Sequence, residues 1–100
     1  MNLQDYLQSS QQRHLDELLE FLSIPSVSAL STHNADTRKA AEFVATKLKD
    51  LSFQVTLNET PKHPIVTAHY HVDDALPTVL IYGHYDVQPP DPMNLWTSPP

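Results

Sequence analysis

The sequence predicts an α/β fold in three layers, with helices covering both faces of a central sheet. Three observations lead to this prediction. Two segments have the apolar periodicity of amphipathic helices, three short strand candidates follow them, and the last strand candidate is apolar at every position but its first. A strand without polar alternation is typical of a sheet that is covered on both faces.

The first predicted helix covers the segment from Leu3 to Leu22. Its apolar residues recur at the three- and four-residue spacing of one helix face, namely Leu3, Tyr6, Leu7, Leu15, Leu18, Leu19 and Leu22. Pro25 follows and makes continuation of the helix unfavourable, so the segment "IPSVSAL" is predicted to be extended or turning.

The second predicted helix runs from about Thr37 to Leu51. Its apolar face consists of Ala40, Ala41, Val44, Leu48 and Leu51. Asp36 is its predicted N-cap, since a short acceptor side chain can satisfy an amide of the first turn.

Three strands are predicted after the second helix. The segments "FQVTL" (Phe53 to Leu57) and "IVTAHYHV" (Ile65 to Val72) alternate between apolar and polar residues, which indicates half-covered strands. The segment "TVLIY" (Thr78 to Tyr82) lies between Pro77 and the only glycine, Gly83, and is predicted to be the covered central strand.

Composition narrows the class of protein. The net charge is −6, and lysine and arginine never gather into a patch that could neutralise a phosphate backbone, which argues against a nucleic-acid partner. The apolar runs are far shorter than the roughly 20 residues that span a bilayer, so no membrane association is expected. The chain contains no cysteine and opens on a polar, acidic stretch, from which we predict a cytoplasmic location.

The stretch "VLIYGHYDVQPPDP" contains the candidate site. In α/β sheets, ligands bind at the carboxyl ends of the strands, which is where Gly83 to Pro90 would leave the predicted central strand. His84 offers an imidazole that can bind a divalent metal, and Asp86 is close enough to accept a hydrogen bond from the other ring nitrogen. The spacing alone is also compatible with a surface turn in which both side chains are solvated.

The stretch "LIYGHYDVQPPDPMNLWTSPP" resembles the first metal-site segment of the M20 metallopeptidases, in particular the branch of carnosine-dipeptidase-like and cytosolic dipeptidases. The upstream segments "FLSIPSVSA" and "DTRKAAEFVATKLKDL" resemble that family in the same order. The resemblance implies that His84 ligates one of two zinc ions and that Asp86 is its catalytic partner, which orients the imidazole. One departure is Ser52, where the family usually has a glycine.

The resemblance also implies the surroundings of the site. Residues 1–100 would form the amino-terminal part of a three-layer αβα zinc-peptidase catalytic domain. The other metal ligands, the general base and a smaller lid domain used for dimerisation would lie outside these residues. A homodimer is therefore expected for the full-length parent.

The function that the resemblance implies for the full-length parent is zinc-dependent hydrolysis of dipeptides or short peptides by metal-activated water. One alternative is an amidohydrolase or deacylase of the same family that acts on N-acyl amino acids. Another is a non-catalytic truncated module, because one histidine and one aspartate cannot complete a zinc coordination sphere.

The remaining polar residues are interpreted as structural or solvated. Ser26 and Ser28 lie in no nucleophile-elbow pattern and are predicted to be structural. His69 and His71 fall on the polar face of a strand and are predicted to be solvated. The three histidines without an obvious carboxylate partner at ligand spacing are predicted to lie at the surface, and these are His14, His33 and His63.

Overall fold

The computed structural model describes residues 1–100 and begins with helix α1, Leu3–Leu22. Asn2 caps the helix, since its side-chain oxygen accepts a hydrogen bond of 2.9 Å from the amide of Asp5. The predicted bounds of this helix are confirmed. No α1 residue is buried, however, so its leucine face lies largely open to solvent.

Helix α2, Asn34–Asp50, starts earlier than predicted. A 3₁₀ turn at Ser31–His33 leads directly into it, so the N-cap position falls on His33 and not on Asp36. Asp36 lies in the first turn, where its carboxylate contacts His33 Nδ1 at 2.8 Å. The N-cap prediction for Asp36 is therefore wrong, and so is the prediction that His33 lacks a carboxylate partner. Both failed because the preceding turn was not recognised.

The carboxyl end of α2 is closed by a Schellman motif. The amide of Phe53 donates to the carbonyl of Leu48 at 3.0 Å, and the amide of Ser52 donates to that of Lys49 at 2.9 Å. Ser52 has φ 69°, the left-handed region that favours glycine. The turn therefore forms with a serine, in a conformation that is costly for a residue with a Cβ atom.

Strands β1, Gln54–Asn58, and β2, Ile65–His69, form an antiparallel two-stranded sheet. Both strands were predicted, although β2 ends three residues before the predicted Val72. Val55 pairs with Ala68 and Leu57 pairs with Val66, so these apolar residues share one face. Val66 and Ala68 line a cavity together with three residues of α2, namely Thr37, Val44 and Leu48, which shows that the apolar face of the sheet is turned towards α2.

The core is small and lies where α2 meets the chain after α1. Its buried apolar residues are Ile24, Val27, Ala40, Ala41 and Ala45. Three of these five are alanines on α2, whose short side chains allow the helix to approach its neighbours closely. No helix combines the length and the apolar composition that crossing a membrane requires.

The prediction of a covered central strand at Thr78 to Tyr82 is wrong for this structure. The segment forms no strand, and Leu80 and Ile81 are 93% and 84% exposed. A strand requires a hydrogen-bonded neighbour, and the sheet consists of β1 and β2 alone. The structure is thus a mixture of helices with a small sheet, in the general α/β class, and the predicted three-layer arrangement is not seen.

Candidate functional site

The loop that contains His84 is anchored to the segment after α1. Val27 and Val87 form an isolated parallel bridge, in which the amide of Val87 donates to the carbonyl of Ser26 at 3.0 Å. The Ser26 hydroxyl donates to the carbonyl of Tyr85 at 2.9 Å. Pro25 keeps this segment out of α1 and leaves its backbone free for these contacts. Two distant stretches are thereby joined at the candidate site.

Within this loop, His84 and Asp86 are in contact. His84 Nδ1 lies 3.0 Å from Asp86 Oδ1 and 3.1 Å from the main-chain oxygen of Asp86. Both oxygens are acceptors, so Nδ1 carries the proton in the neutral ring and Nε2 is left with its lone pair. The His84 side chain is 74% exposed, which leaves Nε2 accessible.

The second oxygen of the Asp86 carboxylate is also engaged. The Ser28 hydroxyl donates a hydrogen bond of 2.6 Å to Asp86 Oδ2. This hydrogen bond, helped by the one from His84, holds the pKa of the Asp86 carboxyl below its usual range, against a smaller opposing effect of burial. Asp86 is therefore ionised at neutral pH and can act only as an acceptor.

The loop between β1 and β2 also contacts the site. The Tyr85 hydroxyl donates to the carbonyl of Pro64, and His63 Nε2 lies 2.9 Å from the carbonyl oxygen of Ser28. Partial burial, together with the negative charge of Asp86, raises the pKa of Tyr85 above its ordinary value. His63 is half-buried, so the prediction of a surface position for it is wrong: its ring serves to hold the main chain of Ser28.

His84, Tyr85 and Asp86 border a large cavity of about 780 Å³. Most of its lining is apolar and comes from α2, from β2 and from the exposed segment that precedes Gly83. The carboxylate of Asp86 and the imidazole of His84 thus lie at the edge of a mostly apolar cavity, an arrangement common in small-molecule sites.

The other histidines do not join His84. The rings of His69 and His71 lie nearly parallel with centroids 6.1 Å apart, both side chains are exposed, and His71 contacts Asp74 at 3.2 Å. The predicted solvent exposure of this pair is confirmed. No group of three or more potential metal-ligating side chains occurs in the chain. The candidate site is therefore one imidazole with its orienting carboxylate.

Sequence reasoning missed the part that Ser28 and His63 play here. Ser26 and Ser28 were predicted to be structural, which describes Ser26 well, but Ser28 contacts the side chain of a predicted site residue. The only local signal is the strand-like spacing of the two serines. The partner lies 58 residues away, so no short-range pattern reveals the contact.

Comparison with curated proteins finds dipeptidases. The chain is 34% identical over 96 residues to a cysteinylglycine-S-conjugate dipeptidase of Corynebacterium striatum. It is 33% identical over an alignment of 108 positions, gaps included, to a Cys-Gly metallodipeptidase of Schizosaccharomyces pombe, and 31% identical over an alignment of 109 positions to that of Candida albicans. The chain is similar to metallodipeptidases.

These matches cover nearly all of the chain but little of each relative. They include 94%, 98% and 96% of this chain, and 21%, 23% and 22% of the three relatives respectively. The chain thus spans about a fifth of the length of the dipeptidases that it matches. No family model matches it, and no solved structure does.

Proposed function

We propose that this chain belongs to the amino-terminal part of the catalytic domain of an M20-type, zinc-dependent dipeptidase that hydrolyses dipeptides or short peptides. The observation that carries the proposal is the contact of His84 Nδ1 with the Asp86 carboxylate at 3.0 Å. Metal-bound histidines commonly make this contact, which fixes the ring and makes the ligating nitrogen more basic. Similarity to proteins named as metallodipeptidases supports the same activity.

The donor chemistry of the site fits one bond to zinc. His84 Nε2 is accessible and unprotonated when Nδ1 donates to Asp86, and a neutral imidazole is a common zinc ligand. When bound, zinc supplies a Lewis acid that polarises a carbonyl and acidifies water. Two ions are proposed from the family resemblance, and the further ligands and the general base would come from other parts of the whole protein.

The residues of this chain contribute orientation and charge. Asp86 is ionised and accepts from Nδ1, so it holds the ring with Nε2 directed away from the carboxylate. Its negative charge also stabilises an imidazole that shares electron density with a cation. The apolar cavity beside His84 offers space for a small substrate.

The names of the relatives favour a peptidase over the two alternatives. An amidohydrolase acting on N-acyl amino acids would use the same imidazole and carboxylate with a different pocket. A non-catalytic module would keep the conformation of the loop that contains His84 and bind zinc weakly through His84 alone. A cytoplasmic location and a homodimer of the whole protein complete the proposal, and both rest on the sequence and the family resemblance.

The test uses the whole protein that contains this segment, purified with zinc and assayed on Cys-Gly, a panel of other dipeptides and an N-acetyl amino acid. His84→Ala should lose close to one zinc ion per protomer and nearly all dipeptide hydrolysis. Asp86→Asn keeps the shape of the side chain and should lower zinc affinity or activity by about 10–100-fold. Asp86→Ala should be more severe, because it removes the acceptor altogether.

His69→Ala is the matched control, since it removes an exposed imidazole elsewhere on the chain. It should retain zinc content and activity. Full zinc content in His84→Ala would refute the metal role of His84. Hydrolysis of the N-acetyl amino acid alone would support the amidohydrolase, whereas zinc binding without any hydrolysis would support the module.

A further inference from the structure

We propose that Ser28 is a positioning residue for the imidazole: its hydroxyl holds the Asp86 carboxylate in the orientation that keeps His84 protonated at Nδ1 and open at Nε2. The consequence for zinc binding rests on the proposed function. The positioning itself is a property of the chain without any metal.

The two oxygens of Asp86 are divided between two partners. Oδ2 accepts from the Ser28 hydroxyl at 2.6 Å, and Oδ1 faces His84 Nδ1 at 3.0 Å. Hydroxyl to carboxylate bonds of this length are among the stronger hydrogen bonds in proteins. Fixing one oxygen of a planar carboxylate also fixes the other, so the hydroxyl determines where the carboxylate acceptor for the ring lies. The main-chain oxygen of Asp86, 3.1 Å from Nδ1, is a second acceptor that the Ser28 hydroxyl does not orient.

Packing alone does not hold this geometry. The side chains of His84 and Asp86 are 74% and 43% exposed. The terminal torsion of an aspartate has a broad energy minimum, so an exposed carboxylate with a single partner samples many orientations. The hydrogen bond from Ser28 restricts the orientations of the Asp86 carboxylate.

Ser28 is itself held by the surrounding chain. Its carbonyl oxygen lies 2.9 Å from His63 Nε2, and the preceding residue, Val27, pairs with Val87 on the far side of the loop. These two contacts hold the backbone of Ser28, one from the loop between β1 and β2 and one from the loop that contains His84. The backbone contacts therefore fix the position from which the Ser28 hydroxyl reaches Asp86.

Ser26 provides a matched comparison because it is tied to the same loop in a different way. Its hydroxyl donates to the main-chain carbonyl of Tyr85 and makes no contact with the Asp86 carboxylate. A role in anchoring the loop therefore predicts similar effects of Ser26→Ala and Ser28→Ala. A role in orienting the carboxylate predicts an effect on the His84 tautomer from Ser28→Ala alone.

The experiment measures the tautomer of His84 in the whole protein that contains this segment, prepared free of metal. Long-range proton–nitrogen NMR spectra of ¹⁵N-histidine protein, recorded above the pH at which the rings are charged and assigned with His84→Ala, report which nitrogen carries the proton. We expect mainly Nδ1–H in the unsubstituted chain. Ser28→Ala should lower the ratio of Nδ1–H to Nε2–H several-fold, whereas Ser28→Thr, which keeps a hydroxyl, and Ser26→Ala should stay close to the original ratio.

Three outcomes would overturn the proposal. They are an unchanged ratio in Ser28→Ala, an equal change in Ser26→Ala, and a majority of Nε2–H in the unsubstituted chain. The last outcome needs no variant, so the proposal stays testable even if a substitution prevents folding. Because no zinc is present, a failure here is distinct from a failure of zinc binding or hydrolysis in the whole protein.

Discussion

Replacing Ser52 by glycine should stabilise the chain. Ser52 has φ 69° at the position just after the end of α2, where the Schellman motif requires a left-handed residue. A residue with a Cβ atom pays about 1–2 kcal/mol in that conformation, and glycine does not. Glycine gains more freedom in the unfolded chain, which costs about 0.4–1 kcal/mol of stability.

The difference between these two effects is a net gain of about 0–1.6 kcal/mol for Ser52→Gly, or about 0.8 kcal/mol at the midpoints of the two ranges. In a domain of about this size, 1 kcal/mol corresponds to about 4–8 °C in Tm, so the midpoint gain predicts a rise of about 3–6 °C. The assay is unfolding by urea and by heat, followed by far-ultraviolet circular dichroism, with the slope of the urea transition compared between variants.

Ser23→Gly is the matched control, since Ser23 ends α1 with φ −74° and donates from its hydroxyl to the carbonyl of Glu20 at 2.7 Å. There the glycine relieves no strain, so the substitution should lower stability. The two substitutions are chemically identical, and their effects on the free energy of unfolding should have opposite signs. A fall in Tm for Ser52→Gly comparable with that of Ser23→Gly would refute the reasoning from φ.

Three further predictions concern an ion pair, the ionisation of a tyrosine and the core. Arg38 donates two hydrogen bonds to Glu59 and holds the pKa of the Glu59 carboxyl below its ordinary value of 4.5, so the pair should stabilise the fold at neutral pH and lose that effect as the pH falls through the lowered pKa. Glu59→Gln should reduce the dependence of the urea midpoint on pH in this acidic range, and an unchanged dependence would contradict the prediction. The raised pKa of Tyr85 lies above its ordinary value of 10.0, so the contribution of this tyrosine to stability is present below pH 10.0 and lost as the pH rises through the raised pKa. In an absorbance titration of the tyrosines, Tyr85→Phe should remove the component that ionises at the highest pH, and retention of that component would assign it to another tyrosine. Ala41 is fully buried, so Ala41→Leu should destabilise the chain by about 1–3 kcal/mol in urea unfolding, and a neutral result would show room beside α2.

Local patterns predicted most of the regular structure. The spacing of leucines predicted the observed bounds of α1, because helical periodicity depends on residues three and four apart. Alternation located β1 and β2, which pair with each other across the short loop that joins them. The start of α2 was misplaced because the 3₁₀ turn before it carries no apolar period. Asp36 has the chemistry of an N-cap but lies three residues inside the helix.

The sequence by itself determined the elements that local periodicity encodes and the pairing of His84 with Asp86, since two residues of one loop need no distant contact to meet. Only the tertiary structure decided what surrounds them. The apolar run from Thr78 to Tyr82 indicates a covered strand, but coverage depends on neighbouring strands, and here the run is exposed. The contact of Ser28 with Asp86 likewise joins residues 58 positions apart, through a parallel bridge that no short-range pattern specifies.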